Sequence, residues 1–107
     1  MGKVDSQIIN TIKNFKAAVQ DKYGIVDIIL FGSSVSGHVR KGSDIDLIIV
    51  VKNYDKQLVA KLLLEWHENL GIHYPVDFIQ CSQKKFYELS KGINIVSQAI
   101  KEGIVIA

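Results

Sequence analysis

Asp44 and Asp46 stand two apart, just ahead of the apolar run Leu47-Ile48-Ile49-Val50-Val51. That run is short and rich in β-branched residues, which predicts a buried strand. Side chains two apart on a strand share a face, with Cα atoms about 6.6 Å apart. Both carboxylates therefore point the same way from the mouth of the strand. At an effective dielectric near 20 they repel by about 2.5 kcal/mol, a cost that a bound cation removes. Divalent cations of this hard type take oxygen ligands, and a triphosphate supplies more of them. Upstream, a second strand candidate at residues 25–31 is cut off by Gly32-Ser33-Ser34. Glycine there permits a tight turn and close approach of backbone N–H groups to an anion. A short helix starting at Ser33 would aim its free N–H groups at that same anion. Taken singly, Gly32 is explained by a turn and Asp44 by a loop cap. Together the two motifs predict a site for a nucleoside triphosphate with magnesium, with Gly32 and Ser33 on phosphates and Asp44 and Asp46 on metal.

Gly32-Ser33, ten intervening residues and Ser43-Asp44-Ile45-Asp46-Leu47 resemble the signature of the polymerase-β-like nucleotidyltransferase superfamily. The short chain is similar to its minimal nucleotidyltransferase branch. The resemblance implies a third carboxylate on a later strand, and Asp77 in Val76-Asp77-Phe78-Ile79 is the matching residue. It implies two Mg²⁺ ions on Asp44, Asp46 and Asp77, with Asp77 also a general base for the acceptor hydroxyl. Gly37 and Arg40 match the loop of the family, and Arg40 is thereby a nucleotide-binding candidate. Ser34 and Ser36 depart from it, standing where many members carry arginine in Gly-Ser-Arg-x-Arg-Gly. For function, the resemblance implies transfer of AMP from ATP to a tyrosine of a small helical HEPN-type toxin, the chain acting as antitoxin. The missing arginines keep an alternative open, a catalytically weak nucleotide-binding module that neutralises a partner by binding.

These residues need elements to hold them. Ile8, Ile9, Ile12, Phe15 and Val19 recur at helical spacing, predicting a helix capped by Ser6 and ending at Tyr23-Gly24. Leu58, Val59, Leu62, Leu63, Trp66 and Leu70 mark a second amphipathic helix ending at Gly71. Its length allows a crossover between parallel strands. A third strand is predicted over residues 72–80, with Pro75 near its start, then helices over 82–90 and 93–102. The expected fold is α+β (α/β-like), a mixed sheet of the nucleotidyltransferase palm type with helices mainly on one face. The open face is left for substrate.

Composition limits the alternatives. The 107 residues, 48% hydrophobic, suit one domain spanning 1–107 and argue against disorder. A net charge of +2 gives no footprint for nucleic acid. No apolar run approaches the roughly 20 residues of a membrane span, and no secretory signal opens the chain. With Cys81 as the one cysteine, a reducing, cytoplasmic setting is expected. His38, His67 and His73 lack zinc-site spacing with each other or with Cys81. Ser33 has no histidine partner at recognisable spacing, and its loop lacks the P-loop lysine. Lys84 and Lys85 read as a solvated helix face, Arg40 and Lys41 as a loop pair able to steer triphosphate, and Trp66 as core. Tyr54, Tyr74 and Tyr87 are open to partner contact. A domain this small leaves its nucleotide exposed on one side, so a second chain, identical or different, is expected to complete the pocket.

Overall fold

A computed structural model describes residues 6–31, 45–92 and 103–106. In chain order these form α1 (Ser6–Tyr23), β1 (Ile25–Phe31), β2 (Ile45–Val51), α2 (Leu58–Leu64), β3 (Val76–Ser82), α3 (Gln83–Ser90) and β4 (Ile104–Val105). The strands make one mixed sheet in the order β3-β2-β1-β4. β1 runs antiparallel to β2 and to β4, whereas β2 and β3 are parallel. The α2 crossover supplies the length that a parallel pair needs.

Alternation along the strands sorts the core into two layers. Ile45, Leu47, Ile49 and Val51 face the same side as Ile28, Leu30 and Phe78, packing on Ile8, Ile12, Phe15 and Val19 of α1 and on Leu58 and Leu62 of α2. A register shift between Ile25 and Asp27 explains why Ile25 and Ile28 both reach this layer. Ile48 and Val50 point the other way, joining Ile29 and Cys81, with Phe86 and Leu89 of α3 packed over them. β2 is thus buried on both faces, which accounts for its unbroken apolar run. α1 and α2 carry most of the helical cover on one face. The face expected to be open is partly covered, because the half-buried Phe86 and Leu89 of α3 shield the Cys81 end.

Aromatic packing fixes α2 to the sheet. Trp66 meets Phe15 at 5.0 Å and Phe78 at 5.9 Å between ring centroids, both edge-to-face. Its Nε1–H donates to the Tyr74 carbonyl at 2.8 Å, so Trp66 is core, as expected. After Leu64 the helix widens into a π turn over Glu65–Asn69. It stops at Gly71, whose φ of 63° lets the Ile72 N–H return to the Trp66 carbonyl. Ile72 and Tyr74 bond back to Trp66 at that helix end, and β3 begins at Val76 rather than Ile72 and runs on to Ser82. Ser82 then caps α3, accepting from the Lys85 N–H. Ser6 is the first described residue of α1 rather than a residue before it. β4 was not anticipated from the sequence, and the helix expected over 93–102 lies outside the described residues. Among the described residues, no helix is long and apolar enough to cross a membrane.

Candidate functional site

Phe31, Asp46 and Asp77 form one row across the sheet. Phe31 pairs with Asp46 across the antiparallel ladder, and Asp46 pairs with Asp77 across the parallel one. Neighbouring strands lie about 4.8 Å apart, so the two aspartates have adjacent Cα atoms. By alternation they share the face of Ile29, Ile48 and Cys81, away from α1 and α2. Asp46 is half-buried and Asp77 exposed. Like charges directly opposite on neighbouring strands repel, although solvent at the exposed Asp77 screens the pair. The two carboxylates do not stabilise one another, and a divalent cation is offered two oxygen donors.

Three elements hold the row in place. Asp46 lies in β2, an inner strand bonded on both sides, which leaves its backbone little freedom. The Ile45 N–H donates to the Pro75 carbonyl at 2.8 Å, fixing the register in which Asp46 meets Asp77. At the far end of β3, the Gln80 side chain bonds both ways with Asp55, donating to its carbonyl at 2.7 Å and accepting its N–H at 2.9 Å. Asp55 in turn accepts from the Gln57 N–H and from Lys61, and these contacts hold its carboxyl below the usual carboxylate range. That network opens α2 and ties it to β3.

Of the residues that the sequence singles out, the structure brings Asp46 and Asp77 together. Gly32, Ser33, Arg40 and Asp44 lie outside the described residues, as do Ser34, Ser36, Gly37, His38 and Lys41. Among the described residues, no group of three or more histidine, cysteine, aspartate or glutamate side chains converges as a metal cluster. The donors that fit magnesium here are the two carboxylates, a hard oxygen set suited to that ion. His67 is occupied elsewhere, its Nδ1 within 3.1 Å of the Ile72 carbonyl. Cys81 is buried under α3, and burial pushes its thiol up. Lys84 and Lys85 are exposed on α3, as expected; Tyr87 on the same helix and Tyr54, between β2 and α2, are exposed as well. Two neighbours of the carboxylates escaped sequence reasoning, Phe31 and Ile79. The signal was available in the alternation, since both fall on the aspartate face once the strands are paired.

Residues 12–106 match the family described as "Nucleotidyltransferase domain". Over 66 residues, 60% of this chain, the sequence is 42% identical to spectinomycin 9-adenylyltransferase of Staphylococcus aureus. The match covers 24% of that enzyme, so the chain spans about a quarter of the length of the curated relatives it matches. A solved candidate minimal nucleotidyltransferase superposes with a TM-score of 0.65 at 24% identity, covering 94% of both chains. A toxin–antitoxin crystal structure with AMP-PNP gives 0.60 at 19% identity, covering 89% of this chain and 72% of that one. At these identities the structural matches speak for the fold.

Proposed function

The chain belongs to the nucleotidyltransferase domain family, and from that premise we propose that it moves a nucleoside monophosphate, AMP from ATP, onto a hydroxyl group of a separate protein. The observation that carries this reading is the in-register pair Asp46 and Asp77 on adjacent parallel strands. The identity to an adenylyltransferase supports AMP as the group moved. The fold shared with a toxin–antitoxin structure holding AMP-PNP supports a protein partner. We take the acceptor to be a tyrosine of a HEPN-type toxin, the chain being its antitoxin.

Asp44, Asp46 and Asp77 are the residues to hold magnesium, as two ions. When bound, the metal offsets triphosphate charge and lowers the pKa of the acceptor hydroxyl. Gly32 and Ser33 hold the β and γ phosphates through backbone N–H groups, and Arg40 adds charge to the same anion. Asp77, the more exposed carboxylate, takes the acceptor proton. The acceptor oxygen then bonds to the α-phosphorus as the bond to pyrophosphate breaks. The inner position of Asp46 keeps the reacting groups in register.

Intact-mass spectrometry of the partner after incubation with ATP and Mg²⁺ tests the proposal. Added AMP masses are expected, and Asp46→Asn and Asp77→Asn should each abolish them. A partner that stays unmodified yet is silenced equally by wild type and both variants would replace transfer with neutralisation by binding.

A further inference from the structure

The row behind the carboxylates is Ile29, Ile48 and Ile79, paired in register across β1, β2 and β3. Ile29 and Ile48 are each 2% exposed, but Ile79 is 41% exposed. Along β3 on this face, Asp77 and Ile79 are both exposed, whereas Cys81 is 6% exposed beneath α3. Ile79 is therefore an uncovered apolar step on the outermost strand of the described sheet, about 6.6 Å from Asp77.

Resting on the transfer reading above, we infer that Ile79 is a specificity residue that selects an aromatic alcohol as acceptor. A phenol whose oxygen reaches the Asp77 carboxylate brings a rigid ring with it, and the next side chain along β3 on that face is the exposed Ile79. A serine or threonine hydroxyl at the same place has no ring to lay on it, and a sugar would cover it with polar groups. In the transfer reading the phosphates are assigned to Gly32 and Ser33, which follow β1 in the sequence, and β1 lies two strands, or about 10 Å, across the sheet from β3. The apolar step thus sits on the acceptor side of the carboxylate pair.

The test uses the full chain with methyl-labelled isoleucine, Mg²⁺ and AMP-PNP, titrated with N-acetyl-tyrosinamide or N-acetyl-serinamide. A ring stacked on Ile79 shifts its δ-methyl resonance upfield with the tyrosine compound and leaves it in place with the serine one. In parallel, AMP transfer from ATP to the two compounds is compared in wild type, Ile79→Val and Ile79→Ala. The tyrosine-to-serine ratio of kcat/KM should fall about five- to tenfold in Ile79→Ala, stay near wild type in Ile79→Val, and leave KM for ATP unchanged. Transfer without a ring-current shift, or with an unchanged ratio in Ile79→Ala, overturns the assignment of Ile79 alone. A shift caused by AMP-PNP itself also overturns it, placing the base there. A tyrosine-dependent shift without any transfer supports the ring contact and overturns the transfer reading, while the absence of both overturns the two together.

Discussion

The two aspartates stand differently toward folding and toward ligand. Asp77 is exposed on the outer strand and Asp46 is half-buried on the inner one. Removing charge from Asp77 relieves repulsion without opening a cavity, so Asp77→Asn should keep or raise thermal stability without magnesium, by up to about 1 kcal/mol. The same variant should lose the extra stability that wild type gains from Mg²⁺ with AMP-PNP, as thermal unfolding with and without the ligand would reveal. An Asp77→Asn protein stabilised as much as wild type would remove Asp77 from the metal site. Ser36 offers a gain-of-function test. Arginine there adds a charge-assisted contact to triphosphate, worth about 1.5–3 kcal/mol, and calorimetry should find AMP-PNP bound roughly tenfold tighter or more. At this scale the sequence singled out Asp46 and Asp77 by their type and place ahead of or within apolar strands, and the structure pairs them in register. Phe31 and Ile79 stayed hidden because an apolar residue on a strand looks like core until pairing reveals its neighbours, which leave Phe31 partly buried and Ile79 exposed.

Elements were legible where one periodicity ruled. α1 and α2 follow the helical pattern that their burial demands, and β1 and β2 are rich in apolar residues because both faces of each are covered. The start of β3 and the presence of β4 were not legible, since both depend on partners distant in sequence. Ile72 and Tyr74 bond back to the helix end at Trp66, and the two residues of β4 are a strand only through pairing with Ile29 and Leu30. The join between α1 and the π turn yields a prediction of its own. The buried Glu65 accepts from Lys22 at 2.8 Å, from the Tyr23 hydroxyl at 3.3 Å and from Asn69. The Lys22 contact, first among these, lowers the Glu65 carboxyl from its ordinary value, and Glu65 in turn raises Lys22. A depressed carboxylate stabilises the fold above its unfolded pKa, and that stability is lost as pH falls through the folded value. A raised lysine stabilises the fold below its unfolded pKa, and that contribution is lost as pH rises through the folded value. Wild type should therefore exceed Glu65→Gln in urea midpoint at neutral pH, with the gap closing below the ordinary carboxylate range and again above that of lysine. A gap constant across pH would mean that Glu65 acts through packing and neutral hydrogen bonds alone.

For the whole molecule, the two faces of the sheet divide the work. The α1 and α2 face holds the larger core, and the opposite face carries Asp46 and Asp77 at one end. The segment around β4 belongs to the first of these. Ile106 is 1% exposed within that core, its N–H donates to the Ile28 carbonyl, and its own carbonyl accepts from the buried Lys16 Nζ at 2.8 Å. Residues 90 positions apart are thus joined beneath the sheet, tying the first helix to the last strand. Ile106→Ala keeps the backbone bonds but removes buried methyl groups, which should cost about 2–4 kcal/mol of unfolding free energy in urea. For a domain whose total stability is on the order of 5–15 kcal/mol, that is a large share. Because Ile106 packs on the face opposite the carboxylates, the fraction still folded should bind Mg²⁺ and AMP-PNP with wild-type affinity, measured by calorimetry well below the unfolding midpoint. An affinity that falls in step with stability would show that the carboxylate row is held by the core beneath it, and not by the strand pairing of β1, β2 and β3 alone.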